Sequence, residues 1–155
     1  MMMSLSCDVM KALQGRTLAT AESCTGGGIG AALTAVPGSS AVFKGGIISY
    51  TNEIKNAVLG VPTELLETKG AVSALVAEAM AQGARKALNA DIAVSVTGLA
   101  GPDGDDFGNP VGTVFIGYAD ESKTLSREYH FSGDREDVRN AATQAALNLI
   151  LHFSV

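Results

Sequence analysis

Tryptophan is absent from this chain, and cysteine and histidine occur twice each. Two cysteines, Cys7 and Cys24, cannot build the disulfide framework of a small secreted scaffold. The start Met1-Met2-Met3-Ser4-Leu5-Ser6-Cys7-Asp8 has no basic stretch ahead of an apolar core, so no export signal is read. Both cysteines are therefore expected as reduced thiols in a cytoplasmic protein. Charge is scarce as well: Asp, Glu, Lys and Arg make up 17% of the chain, against about 25% in an average protein. A sparsely charged surface leaves room for subunit contacts, and a homo-oligomer is expected. The net charge of −5, with no cluster of Lys and Arg, excludes nucleic acid as a partner. No apolar run approaches the roughly 20 residues that cross a bilayer, so no membrane partner is expected.

What is present is small and apolar. The 155 residues include 18 glycines, and 46% of the chain is hydrophobic, enough for one domain with a full core. Leu5, Val9 and Leu13 recur at helical spacing, and Gly15 ends that helix. Residues 17–21 read as a short buried strand, residues 26–33 as a helix with a small face, and residues 45–50 as a second strand. Asn52 is read as the cap of a helix through Leu59, and Leu65-Leu66 as one helical turn. A long helix spans residues 73–88, followed by the doubly buried strand 92–96. A glycine-rich loop covers residues 98–110, residues 111–119 and 125–131 form a hairpin, and a last helix runs from Gly133 or Asp134 to His152. This order predicts a single α/β domain over residues 1–155: a three-layer α/β/α sandwich around a mixed, mostly parallel central sheet.

Open α/β sheets bind ligands at the carboxyl ends of their strands, which directs attention to four segments. The turn Ser23-Cys24-Thr25-Gly26 follows the first strand and opens a helix. The backbone N–H groups of Thr25, Gly26 and Gly27 are expected to face a ligand there, cradling a phosphate or an oxyanion beside Ser23. Equally, Ser23 can serve only as a helix cap. Cys24 has no nearby histidine to activate it and reads as an inert core thiol. The run Gly26 to Ala31 also fits the Gly-x-Gly-x-x-Ala dinucleotide pattern, but Tyr50-Thr51-Asn52 stands where a ribose-binding carboxylate belongs, and that reading is rejected.

Tyr50 closes the second strand and should reach the same edge, with Lys55 in the first turn of the next helix. An ordinary lysine is only about 0.1% neutral at pH 7.4, so a basic role for Lys55 requires burial. The loop Gly98-Leu99-Ala100-Gly101-Pro102-Asp103-Gly104 is long enough to close over a ligand. Its Asp103, Asp105 and Asp106 lack calcium-loop spacing and are read as loop polar groups, so no metal is expected. Arg135 and Arg139 are i,i+4 neighbours near a helix start, suited to a phosphate or to pairing with Asp134, Glu136 or Asp137.

Taken together, Ala21-Glu22-Ser23-Cys24-Thr25-Gly26-Gly27, Tyr50-Thr51-Asn52-Glu53-Ile54-Lys55, Gly70-Ala71-Val72-Ser73, Thr97-Gly98-Leu99-Ala100-Gly101-Pro102-Asp103-Gly104, Pro110-Val111-Gly112-Thr113-Val114 and Phe131-Ser132-Gly133-Asp134-Arg135 resemble the CinA C-terminal domain family over nearly the whole chain. The resemblance implies the three-layer fold and hydrolysis of the carboxamide of nicotinamide mononucleotide to nicotinate mononucleotide and ammonia, without a cofactor. It places a nucleophile on Ser23, its partners on Lys55 and Tyr50, and the family's arginine on Arg135, with Arg139 the other candidate. Thr25, Gly26, Gly27, Thr97, Gly98 and Gly101 fall among the oxyanion and substrate-binding positions. The N-terminal domain resembling molybdopterin-binding proteins that full-length family members carry is not in this sequence, so no activity of that domain is expected. Two other readings stay open: a non-catalytic nucleotide-binding module, and an amidohydrolase of another small amide.

Overall fold

In the computed structural model, which describes residues 2–154, the elements follow in the order α1 (Met2–Ala12), β1 (Leu18–Glu22), α2 (Gly28–Thr34), a single 3-10 turn (Ser39–Ala41), β2 (Phe43–Ile48), α3 (Asn52–Ala57), α4 (Thr63–Lys69), α5 (Ala74–Ala87), β3 (Ile92–Gly98), β4 (Thr113–Ala119), β5 (Thr124–His130) and α6 (Arg135–Phe153). The five strands form one sheet in the order β2-β1-β3-β4-β5. Strand β1 pairs in parallel with β2 and β3, while β4 is antiparallel to both β3 and β5. All strands but β4 therefore run the same way, yet the pairings divide evenly between parallel and antiparallel. The β4–β5 hairpin is the reason: a four-residue connection can only reverse the chain, whereas parallel neighbours need a helical crossover.

The strand pleat sorts the core into two unequal layers. Leu18, Ile92, Val94, Val96, Val114 and Ile116 face α1, α2 and α6, where Val9, Leu13, Ile29, Leu33, Leu147 and Ile150 complete the larger core. The opposite face carries Ala19, Ala21 and Ala93 against Val76, Met80 and Ala84 of α5. Small residues let α5 lie close to the sheet. A Cβ on Gly117 would collide with the carbonyl oxygen of Ala77, and the Ser95 hydroxyl donates to that same oxygen.

Local chemistry sets the helix ends. The Ser73 hydroxyl caps α5 by accepting from the Val76 amide, and Asp134 and Asp137 form a reciprocal capping box at the start of α6. Elsewhere the boundaries move. Thr51 rather than Asn52 caps α3, which stops at Ala57, and the turn around Leu65-Leu66 extends to the seven residues of α4. Helix α2 begins at Gly28, not Gly26, because Gly26 and Gly27 adopt left-handed φ angles of +60° and +104°. Those angles fold residues 23–27 into tight turns at the sheet edge, a conformation costly for any side chain bearing a Cβ.

Candidate active site

Strands β1, β2 and β3 all end on one side of the sheet, and the residues just beyond them meet. Ser23 is anchored there by its amide, which donates to the carbonyl of Val96 at 3.0 Å. The amide of Ser49 bonds the carbonyl of Glu22 at 2.7 Å, tying the β2 end to the β1 end. Helix α3 then brings Lys55 back underneath. Its Nζ lies 3.2 Å from Ser23 Oγ, 2.8 Å from the Ser49 carbonyl oxygen and 3.4 Å from the Tyr50 carbonyl oxygen. Ser23 is 7% exposed and Lys55 only 2%.

All three neighbours of the ammonium are neutral oxygens, and among the described residues no carboxylate forms an ion pair with it. Burial therefore dominates and lowers the Lys55 pKa to about 8, with a smaller opposing effect from the Cys24 thiol. At pH 7.4 about a fifth of such lysines are neutral, some two hundred times the fraction of an ordinary one. A neutral amine has two N–H groups, one for each carbonyl, and a single lone pair left over for the Ser23 hydroxyl. Lys55 stands in the last turn of α3 rather than in the first.

The turn after Ser23 is built differently from the sequence expectation. Gly26 donates its N–H to the Ser23 carbonyl at 3.0 Å, and Gly27 donates to Glu22 Oε1 at 3.1 Å. Neither amide faces a ligand, because a buried carboxylate and the turn itself take them. Among the described residues, the amides of Cys24 and Thr25 have no hydrogen-bonding partner in backbone or side chain outside Cys24 itself. Ser23 does not cap α2; its N-terminal groups are held by Glu22, which composition and spacing did not single out. A signal existed, since Glu22 is the one ionisable residue in an otherwise uncharged, fully buried strand. Cys24 is buried, and desolvation pushes its thiol up to about 11, so it stays protonated at neutral pH.

Ser23 and Lys55 open into a cavity of about 280 Å³ lined also by Tyr50, Thr97, Gly98, Gly101, Asp103 and Arg135. Thr97 donates its hydroxyl to the Ala71 carbonyl, which fixes the end of β3 against the segment leading into α5. The Tyr50 hydroxyl contacts neither Ser23 nor Lys55; it accepts from Arg135 Nη2 at 3.1 Å, while Nη1 of Arg135 donates to the Gly101 carbonyl at 2.6 Å. Arg135 thereby bridges the rim from α6 to the glycine-rich loop. Arg139 does not line this cavity. Its Nε and Nη2 donate to the carbonyls of Cys24 and Thr25 at 3.0 and 3.3 Å, bracing the turn from a neighbouring hollow. Among the described residues, neither arginine forms an ion pair with Asp134, Glu136 or Asp137; Asp134 and Asp137 hold the capping box instead. In the loop, Asp105 accepts from the amides of Phe107 and Asn109.

Residues 3–154 match the model of the CinA C-terminal domain. A CinA-like protein from Geobacter sulfurreducens is 51% identical over 135 residues, covering 87% of this chain and 33% of that protein. The chain thus spans about a third of the length of such curated relatives. A nicotinamide-nucleotide amidohydrolase PncC from Pseudomonas putida is 51% identical over 134 residues, covering 86% of this chain and 84% of that protein. Among solved structures, the competence/damage-inducible protein CihA from Agrobacterium tumefaciens superposes with a TM-score of 0.94 at 39% identity, covering 97% of this chain and 94% of its own. The competence damage-inducible protein A from Klebsiella pneumoniae gives 0.95 at 36% identity, with coverage of 98% and 96%. The chain belongs to the CinA C-terminal domain family.

Proposed function

We propose that the protein is a serine amidohydrolase that converts nicotinamide mononucleotide to nicotinate mononucleotide and ammonia. The observation that carries the chemistry is the 3.2 Å approach of Ser23 Oγ to the buried, counterion-free amine of Lys55. The name of the Pseudomonas putida relative supports the substrate.

Ser23 Oγ attacks the carboxamide carbon, and neutral Lys55 takes the hydroxyl proton. The amide of Cys24, which lines the cavity beside Ser23, is the donor for the oxyanion, a role worth roughly 3–4 kcal/mol per donor in comparable enzymes. Lys55 returns the proton to the amine, ammonia leaves, and water attacks the acyl-enzyme with Lys55 again as base. This restores Ser23 and releases the carboxylate. Arg135 leaves Tyr50 and Gly101 to pair with the ribose phosphate, for which its planar fork is suited. The test is ammonia release by purified protein from nicotinamide mononucleotide and, separately, from free nicotinamide. Steady release from the nucleotide, lost in Ser23→Ala with the fold intact, is expected. Saturable binding without turnover would instead make the chain a nucleotide-binding module, and turnover of free nicotinamide alone would move the substrate to another amide.

A further inference from the structure

Glu22 is placed unlike any other carboxylate of the molecule. It is 2% exposed at the end of β1, directly before Ser23. Its Oε1 accepts from the Thr25 hydroxyl at 2.7 Å and from the amides of Gly27 and Ile29 at 3.1 and 2.9 Å, and its Oε2 accepts from the Gly30 amide at 3.0 Å. The Glu22 backbone carbonyl meanwhile receives both the amide and the hydroxyl of Ser49, whose own carbonyl holds Lys55 Nζ. One residue thus ties the nucleophile's turn through its side chain and the base's cradle through its main chain.

We infer that Glu22 is a positioning residue for the Ser23 nucleophile: its buried carboxylate pins the Ser23–Thr25 turn from behind the site. Two consequences follow from the bonds alone. Binding the Thr25 hydroxyl fixes the far end of the turn whose Cys24 amide is to meet the oxyanion. Taking the amides of Gly27, Ile29 and Gly30 removes the donors that would otherwise draw an anionic group away from Ser23 to the start of α2. Glu22 touches neither substrate nor Lys55 Nζ, so its influence runs through the geometry of the turn. The inference rests on the proposed amidohydrolase reading for its kinetic readout.

Glu22→Gln and Thr25→Val separate positioning from folding. Glu22→Gln keeps the length of the side chain but replaces one acceptor oxygen with a donor facing backbone N–H groups. Thr25→Val removes only the hydroxyl bond. For Glu22→Gln, kcat per folded molecule should fall about a hundredfold, the loss expected when a reacting group moves by about 1 Å, with KM within about twofold. For Thr25→Val a smaller loss of kcat is expected, also without a change in KM. Labelling of Ser23 by a fluorophosphonate probe, which needs no knowledge of the substrate, should slow in parallel, with the folded fraction set by circular dichroism. Wild-type kcat and labelling rate in folded Glu22→Gln would overturn the inference, as would a loss confined to KM. If the wild type labels at Ser23 but releases no ammonia, the substrate assignment fails, and the labelling rates of the two variants alone decide the role of Glu22.

Discussion

In the proposed mechanism Lys55 carries the largest demand placed on a single side chain. Its amine is buried without a counterion, and desolvation holds its pKa at about 8. A base must be unprotonated, so kcat/KM should rise tenfold per pH unit below 8 and level off above it, measured as ammonia release between pH 6 and 9.5. Lys55→Arg keeps the charge but has no accessible neutral form. Its kcat should drop by about 10²- to 10⁴-fold, and a flat pH profile in the wild type would speak against the dyad. Tyr50 behaves differently. Its carbonyl, not its hydroxyl, touches Lys55, and the hydroxyl accepts from Arg135. Tyr50→Phe should therefore leave kcat within a few-fold and raise KM; a kcat collapse would instead make its hydroxyl part of the proton transfer.

At the scale of elements, the site depends on how strand ends and helix starts are finished. Asp134 and Asp137 cap α6 reciprocally, and Arg135 is the first residue of that helix. Asp134→Ala should cost about 1 kcal/mol of stability and, by fraying the first turn, raise KM more than it lowers kcat, a split that denaturant melts and steady-state kinetics resolve together. Much of this level was legible in the residues. A continuous apolar run marked β3, and Ser73 and Asp134 announced their helices through side chains with local partners. Less was legible where partners are distant. The run Gly26-Gly27-Gly28 reads equally as an anion cradle or as a turn. The buried carboxylate of Glu22 decides between them by taking the Gly27 amide. The Ser23–Lys55 pair is separated by 32 residues, and no local periodicity encodes it. Resemblance of motifs brought the two residues together; the shared exit of β1 and β2 from the sheet supplies the physical reason.

For the whole molecule, the decisive feature is that parallel neighbours β1, β2 and β3 deliver their carboxyl ends to one edge, while the antiparallel β4 leaves from it and the loop before it roofs the cavity. The cavity walls come from five separate parts of the chain: the β1–α2 turn, the β2–α3 connection, the segment before α5, the glycine-rich loop and the start of α6. Helices on both faces hold these parts in place through the core, and Arg135 spans the rim through its bonds to Gly101 and Tyr50. A nucleotide held at once by the Ser23 turn and by Arg135 would tie the glycine-rich loop to the end of β1 and add to the part-buried bonds by which Arg139 already ties α6 to that turn. Binding at a hundredfold excess over Kd adds about 2.7 kcal/mol, which in a domain of this size raises Tm by roughly 5–10 °C. The inactive Ser23→Ala variant with nicotinamide mononucleotide allows that shift to be read without turnover. Adding Arg135→Ala should leave the unliganded Tm within about 2 °C, because both of its bonds are solvent-exposed, and should reduce the shift by more than half at the same ligand concentration. An undiminished shift in the double variant would mean that the phosphate is held elsewhere, and the hollow beside Arg139 would be the next place to test by the same melt.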